Sequence, residues 1–470
     1  MQKAEIDLLG INKGTVTAPA GCGKTQLIAD ALRAYQDSKP ILILTHTNAG
    51  VASLRGRLER AEVPPQRYRL HTIDGWSIRM ISTFPERSGH NPSILRLANA
   101  RTDYPSIRAA ISKLIQKGHI NEVLQASYAR LIVDEYQDCS IAQHEIVCGL
   151  SAVLPTCVLG DPLQAIFGFN GNPLVDWKDQ VCVQFPLVGE LQTPWRWINS
   201  GNEELGQWLL QARKILIAGQ KVDLRTAPAQ VTWVQLTGSD HSLRRSAAMT
   251  NVPGPNSRVL IIAESTSPDG QRQIASQTPG AVTVEAADLK DLSAFARIFD
   301  LTSVNALAQL LEFAQKLMVN LDLPSFNKRL DSISNGSARK PATLNESQAI
   351  HFKHNPAYAT AADLLQSLRQ QPKVRVYRPE ILSCAIRALR LANTGDRTLE
   401  MAATQICDEN RSLGRLLPRR AVGSTLLLKG LEAEGAVILN GDNLNAANLY
   451  VAMTRGSMKL VVCSQSPTLG

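Results

Sequence analysis

The chain has 470 residues, 44% hydrophobic and 19% charged with a net charge of +9, which describes an ordinary globular protein. One hydrophobic core rarely extends over so many residues, so two or more domains are expected. No segment approaches the roughly 20 apolar residues that span a bilayer, and the start MQKAEIDLLG lacks a secretory apolar run. The eight cysteines form no CxxC pair, which argues against a zinc site, an iron–sulfur cluster or a disulfide framework. We therefore expect a cytoplasmic protein without a membrane partner.

The first motif in chain order is a glycine-rich loop between a short predicted strand and a predicted helix. The stretch GTVTAPAGCGKT matches the pattern G-x-x-x-x-G-K-[ST], with Ala18 in place of the first glycine. Glycines let backbone N–H groups turn toward phosphate oxygens, Lys24 would reach the β- and γ-phosphates, and the Thr25 hydroxyl would hold Mg²⁺. Cys22 would fill space, although an oxidant could block the site there. The predicted nucleotide-binding residues are Ala18, Gly21, Cys22, Gly23, Lys24, Thr25 and Gln26.

A basic stretch follows the loop. Residues 53–117 contain 12 Lys and Arg against 5 Asp and Glu. Such a cluster is compatible with a phosphate track, because a polyanion binds by displacing counterions from it. A solvated basic surface without a ligand is the alternative.

The segment LIVDEYQD predicts a buried strand that ends in two adjacent carboxylates. Parallel sheets bind ligands at the carboxyl ends of their strands, where Asp134 could hold Mg²⁺. Glu135 could accept a proton from the water that attacks the γ-phosphate. This pairing is typical of an NTPase and distinguishes it from a passive nucleotide binder.

A second strand with a polar end is predicted in TCVLGDPLQAIFGF. Gln164 could touch the γ-phosphate from the side, and the aromatic residues beyond it could stack on a nucleobase. Taken alone, aromatic residues such as Phe167 and Phe169 are more often core residues.

In order along the chain, these motifs and others resemble superfamily 1 DNA helicases of the UvrD/Rep type. The resemblance rests on APAGCGKT, ILTHTNAGVASLRGRL, LHTIDGWSIRMI, VDEYQD, GDPLQAIFGFNG, LQTPWRW, STLLLKGLEAEGAVIL and NLYVAMTRGSMKLVV. It implies ATP and Mg²⁺ as ligands, single-stranded DNA or DNA ends as partner, and 3′→5′ movement.

The resemblance also implies roles for individual residues. Arg196 and Arg455 would reach the γ-phosphate as arginine fingers, and Gln164 would sense it. Gln137 would couple the hydrolytic site to the second lobe. Glu432 would bind the ribose. Trp195 stands where the family has a tyrosine that stacks on adenine.

Contacts with DNA are implied at several motif positions, namely Thr47, Asn48, Thr72, Trp76 and Phe169. Phe169 stands where the family has a tryptophan that stacks on a base. For Trp76, stacking on a single-stranded base and packing in the core are both open.

The sequence departs from the family in three places. No LNxxQ motif precedes the phosphate loop, so selectivity for adenine is not indicated. Pro194 replaces the usual asparagine of the fourth motif, and Leu426 replaces a histidine that often faces DNA in the fifth.

The implied fold class is α/β, with two RecA-like P-loop NTPase lobes and mainly helical inserted subdomains. Lobe 1A would comprise residues 1–82 and 126–190, with subdomain 1B at 83–125. Lobe 2A would comprise residues 191–283 and 411–470, with subdomain 2B at 284–410.

Two functions are compatible with these features. The first is an ATP-dependent translocase or helicase on single-stranded DNA. The alternative is a regulatory NTPase subunit that senses DNA or nucleotides with little unwinding. In size and in the string GSTLLLKGLE, the chain resembles small UvrD-like members of anti-phage systems such as Gabija, which work beside a nuclease of the OLD type.

Overall fold

The computed structural model describes residues 5–168, 173–238, 240–412 and 417–470. The chain forms two compact units. Unit 1 holds the described residues up to Gln235 together with Gly441–Leu460 and Ser464–Gly470. Unit 2 holds those of Leu236–Asn440 and Val461–Cys463. In the part of the chain that is described, no helix is both long and apolar enough to cross a membrane.

Two six-stranded sheets carry the fold. Sheet 1 has the order β3-β2-β4-β5-β1-β6, with all neighbours parallel. Sheet 2 has the order β10-β13-β9-β14-β15-β8, and its first four strands pair in parallel. The strands in the described residues are β1 Lys13–Thr17, β2 Ile41–Thr45, β3 Tyr68–Thr72, β4 Leu131–Val133, β5 Thr156–Gly160, β6 Leu187–Glu190, β7 Val222–Asp223, β8 Val231–Gln235, β9 Val259–Ile262, β10 Ala281–Thr283, β11 Met318–Val319, β12 Arg375–Val376, β13 Arg420–Gly423, β14 Ala433–Ile438, β15 Gly456–Ser464 and β16 Thr468–Leu469.

Helices connect these strands and flank the sheets, which confirms the predicted α/β fold class. The helices in the described residues are α1 Lys24–Ala34, α2 Asn48–Arg60, α3 Ile73–Thr83, α4 Pro85–Ser88, α5 Ala100–Gln116, α6 Asn121–Ser127, α7 Ile141–Ser151, α8 Cys182–Gln184, α9 Trp195–Ile198, α10 Glu203–Ile217, α11 His241–Ala248, α12 Pro268–Gln277, α13 Lys290–Ile298, α14 Ala306–Gln315, α15 Leu323–Ser334, α16 Leu344–His354, α17 Tyr358–Leu368, α18 Pro379–Ala392, α19 Leu399–Ser412, α20 Thr425–Leu428 and α21 Ala446–Met453.

The inner strands β2, β4 and β5 of sheet 1 are buried on both faces. Alternate residues of β2 enter different cores: Ile43 packs with residues of α1 and α2, whereas Leu42 and Leu44 pack with residues of α3, α5 and α7. Side chains alternate across a strand, so a strand covered on both sides must be apolar throughout. This explains why the segments ILIL and LIV read as continuous hydrophobic runs.

The strand order brings three loops together. β1 lies next to β5, and β5 lies next to β4, all in parallel. The carboxyl ends of these strands therefore meet at one edge of sheet 1. The phosphate loop follows β1, Asp134 follows β4, and Asp161 follows β5.

Residues 83–125 are mainly helical, containing α4, α5 and α6. Ile107 and Ile111 of α5 are buried in the same cluster as Val133 of β4 and Val147 of α7. The hydrophobic face of α5 thus completes one core of sheet 1. The domain boundaries given above stay predictions.

Unit 2 contains a second, helical core. Residues of α13, α14, α16, α17, α18 and α19 share one hydrophobic cluster. At its margin, Arg378 is 1% exposed and binds both oxygens of Glu285 at 2.7 and 2.9 Å. Its guanidinium also pairs with Asp291 of α13, which accepts a second bond from Arg272 of α12 at 2.6 Å. This ion cluster joins the segment after β10 to the start of α18.

Candidate active site

The phosphate loop lies between β1 and α1 and is held by its neighbours. The Ala18 N–H donates to the Gly160 carbonyl of β5 at 2.8 Å. Gly21 and Gly23 have φ of +73° and +85°, a region that favours glycine. A Cβ on Gly21 would lie 2.5 Å from the Trp197 ring, and one on Gly23 would lie 3.0 Å from the Trp195 ring. Backbone conformation and close packing thus both require the two glycines.

Lys24 joins the loop to the two carboxylates of LIVDEYQD. Its Nζ lies 2.7 Å from Asp134 Oδ1 and also pairs with Glu135. Burial alone would lower the pKa of Lys24, but the charges of Asp134 and Glu135 outweigh it and raise that pKa. Burial, reinforced by Glu135, raises the pKa of Asp134 despite its contact with Lys24. The predicted phosphate-binding cation Lys24, the predicted Mg²⁺ ligand Asp134 and the predicted general base Glu135 therefore meet at one point.

Glu135 has an unusual backbone. Its φ of +55° lies in the left-handed region, which costs a non-glycine residue about 1–3 kcal/mol. Its side chain is 36% exposed, and its Oε2 accepts a hydrogen bond from Gln137 Nε2 at 2.6 Å. Water can therefore reach this carboxylate while Gln137 holds its orientation.

Gln137 and Gln164 are connected through Asp161. The Gln137 Oε1 accepts from the Asp161 backbone N–H at 3.2 Å. The Gln164 Nε2 donates to Asp161 Oδ2 at 3.0 Å. The structure thus brings the predicted coupling and sensor glutamines into one network with Glu135.

The two predicted arginine fingers lie in unit 1, on α9 and after α21. The Arg196 backbone N–H donates to the Gly21 carbonyl at 3.0 Å, and its Nη1 donates to the Thr454 carbonyl at 2.6 Å. Arg455 is 3% exposed, and its Nε donates to the Val451 carbonyl at 2.8 Å. Arg196 is therefore at the phosphate loop, whereas the Arg455 guanidinium donates to the backbone of the preceding helix, α21.

The two remaining predicted nucleotide contacts belong to different units of the chain. Trp195 is half-buried against Gly23 of the phosphate loop. Glu432 belongs to unit 2, where it is exposed just before β14. Both roles implied by the resemblance stay predictions.

The predicted DNA contacts fall into three groups. Thr47 and Thr72 cap α2 and α3 through bonds from the N–H groups of Gly50 and Gly75, and Asn48 is exposed beside Thr47. Trp76 is 0% exposed and packs in the core of sheet 1 with residues of α5 and α7. Of the two predicted positions, Trp76 therefore occupies the one in the core, because a ring without exposed surface cannot stack on a base. Phe169 lies outside the described residues.

Two further residues at the site carry no clear signal in the sequence. The Arg57 Nη1 of α2 donates to the Thr25 hydroxyl at 3.1 Å. The Tyr450 hydroxyl of α21 accepts from the Ala20 backbone N–H at 3.1 Å. Arg57 is one of many arginines in the basic stretch, and Tyr450 is far from the loop in sequence. Only the folded chain shows that both touch it.

The site residues fit Mg²⁺ by their chemistry. The Thr25 hydroxyl and the Asp134 carboxylate supply the hard oxygen ligands that this ion prefers. Within the described ranges, no group of three or more His, Cys, Asp or Glu side chains could hold a metal alone. Mg²⁺ at this site would therefore need further ligands from phosphate and water, as is usual for this ion.

We expect Cys22 to resist modification. Burial, reinforced by Asp161, raises the pKa of its thiol to about 12, so the thiolate fraction at pH 8 is on the order of 10⁻⁴. Native protein treated with N-ethylmaleimide should carry labels at the partly exposed Cys148 and Cys182 and not at Cys22, as mapped by mass spectrometry. Rapid labelling of Cys22 in folded protein would contradict this expectation and restore the oxidant-sensitive interpretation.

Comparison with known proteins gives one family match. Residues 95–174 match the family described as UvrD/REP helicase N-terminal domain. The matched segment includes β4, the two acids that follow it, and β5 with Asp161 and Gln164. It supports an ATP-dependent helicase or DNA translocase in the general sense.

No curated protein matches the chain. A crystal structure of Pif1 helicase from Candida albicans is similar over 97% of this chain and 92% of that chain, with 12% identity and a TM-score of 0.38. A TM-score this low carries no conclusion about function.

Proposed function

We propose that the chain is an ATP-dependent translocase on single-stranded DNA that hydrolyses ATP at the phosphate loop of residues 18–25. The observation that carries the proposal is the meeting of Lys24 with Asp134 and Glu135 at the start of α1. A passive nucleotide binder needs the cation and the loop, but it has no use for a second, water-accessible carboxylate.

Different residues of the chain would bind the phosphates, hold Mg²⁺ and accept the proton of the attacking water. Loop N–H groups and the N-terminus of α1 bind phosphate oxygens, while Lys24 turns from the carboxylates to the β- and γ-phosphates. Thr25 and Asp134 would hold Mg²⁺, which neutralises charge on the phosphates. Glu135, oriented by Gln137, accepts the proton of the attacking water.

Other contacts complete the proposed site. Arg196 and Arg455 would stabilise charge that develops on the transferred phosphoryl group, and Gln164 would sense the γ-phosphate. Trp195 would stack on the base and Glu432 would bind the ribose. The position of Trp195 and Arg196 at Gly23 and Gly21 supports their part of this proposal.

The basic stretch supports single-stranded DNA as the partner. Arg55, Arg69 and Arg79 are exposed. Burial, followed by the charges of Arg79, Arg55 and Arg69, lowers the pKa of His71, so these arginines create a positive potential around it. A phosphate backbone would be attracted to such a surface. The 3′→5′ direction rests on the motif resemblance alone.

The test is ATP hydrolysis by the purified chain with and without oligo(dT), with Glu135→Gln as the inactive control. We expect DNA to stimulate hydrolysis, and the stimulation to weaken with added salt because counterion release drives binding. Absence of hydrolysis in the wild-type chain under all conditions would refute the proposal. Hydrolysis that ignores DNA, or that starts only when a partner protein is added, would favour the regulatory NTPase subunit with its nuclease.

A further inference from the structure

Arg213 lies on α10, outside every motif described above, yet it is buried beside the proposed active site. It is 4% exposed. Its Nε and Nη2 both approach Asp161 Oδ1 at 3.0 Å, and its Nη1 binds Glu190 at the end of β6. One guanidinium thus holds Asp161, which follows β5, and Glu190, which ends β6; these two strands lie on either side of β1 in sheet 1.

Asp161 is almost fully buried and uses both of its oxygens. Its Oδ1 faces Arg213, and its Oδ2 accepts the bond from Gln164 Nε2. Its backbone N–H donates to Gln137 Oε1, and Gln137 donates in turn to Glu135. A continuous chain of hydrogen bonds therefore leads from α10 to the proposed catalytic base.

The orientation of Gln164 depends on the guanidinium of Arg213, which compensates the charge of Asp161 and fixes the position of its Oδ1 through Nε and Nη2. A buried carboxylate is stable when an opposite charge compensates its loss of water. With the guanidinium on Oδ1, the other oxygen stays an acceptor, so the Gln164 side chain must present its NH₂ group there. Without the guanidinium, the carboxylate could gain a proton or turn, and the orientation of Gln164 would no longer be fixed.

We propose that Arg213 is a positioning residue for ATP hydrolysis, which fixes Asp161 and through it orients Gln164 and Gln137. This inference rests on the proposed function. Arg213 touches none of the reacting groups, so it should affect the rate of hydrolysis more than the binding of ATP.

The test replaces Arg213 with lysine, which keeps the charge but cannot bind Asp161 and Glu190 through a planar fork. We expect kcat for ATP to fall by on the order of 10²-fold, since misplacement by about 1 Å has such an effect. The Kd for ATP, measured by fluorescence titration, should stay within about twofold. Arg225→Lys is the matched control, because Arg225 also pairs with an aspartate but is 62% exposed.

A double variant separates positioning from a purely structural role. If Arg213 acts through Gln164, Arg213→Lys should lower kcat much less in a Gln164→Ala background than in the wild-type chain. Equal losses in both backgrounds, or a loss that appears only as a lower melting temperature, would overturn the inference. If Arg213→Lys does not fold, Arg213→Met with Asp161→Asn removes both buried charges together. The same fall in kcat is expected there, and an unchanged kcat would also overturn it.

The outcomes distinguish this inference from the function on which it rests. A wild-type chain that does not hydrolyse ATP refutes the proposed function. A wild-type chain that hydrolyses ATP under DNA control, with an Arg213→Lys variant of equal kcat, refutes only the role of Arg213.

Discussion

Replacement of Glu135 by glutamine is expected to slow ATP hydrolysis by about 10²–10⁴-fold, the usual contribution of a general base. The amide has nearly the same shape as the carboxylate but cannot accept the proton of the attacking water. Lys24 would keep Asp134 as a partner at 2.7 Å, so the phosphate loop should keep its structure. Binding of ATP should therefore be retained or tightened.

Single-turnover hydrolysis and equilibrium ATP binding measure these two effects separately. Glu145→Gln is the matched control, because Glu145 is an exposed glutamate on α7. It should leave both quantities unchanged. Hydrolysis by Glu135→Gln at the wild-type rate would show that another group activates the water.

Replacement of Arg378 by methionine is expected to destabilise unit 2 by about 3–5 kcal/mol. The change removes the two hydrogen bonds that Arg378 donates to Glu285, which keeps the bond from the Thr283 hydroxyl. It also removes one of the two arginines that pair with Asp291. Burial alone would lower the pKa of Arg378, but Glu285 and Asp291 outweigh it and raise that pKa. The arginine therefore stays charged, and the carboxylates lose a full positive charge on substitution.

Urea unfolding followed by circular dichroism measures this loss of stability. Arg390→Met on α18, the helix that begins directly after Arg378, is the control, since Arg390 is 59% exposed and pairs with Asp363 only at 3.8 Å. It should change stability by less than about 1 kcal/mol. Adding Glu285→Gln to Arg378→Met should recover part of the loss, because the unpaired charge is then gone. Equal stability of Arg378→Met and the wild-type chain would show that this cluster contributes nothing.

The parts of the site that follow from sequence are those fixed by local chemistry. Lys24 stands at the end of a glycine pattern with few other uses, and Asp134 and Glu135 end a strand too apolar to be exposed. Parallel strands then bring such ends to one edge of a sheet. For these three residues, the motif alone predicts the neighbourhood that the structure shows.

Contacts between distant segments could not be predicted in the same way. Arg213 contacts Asp161, and Arg378 contacts Glu285, because of how the helices pack. No spacing of residues along the chain predicts these contacts. The burial of Trp76 could not be predicted from the sequence either. Its place in a helix beside a basic stretch fits both a surface and a core position, and only the packing of α5 and α7 decides between them.

The contact between Tyr450 and Ala20 has a consequence for synthesis of the protein. A ribosome releases the six strands of sheet 1 once residue 190 has emerged, so that sheet can form early. The Ala20 N–H has no Tyr450 hydroxyl to bind until that residue is synthesised. Likewise, the Trp197 Nε1 can donate to the Gly456 carbonyl, at 3.0 Å in the folded chain, only after Gly456 has been synthesised. The phosphate loop of a nascent chain therefore acquires these neighbours only after Tyr450 and Gly456 have been synthesised, long after sheet 1.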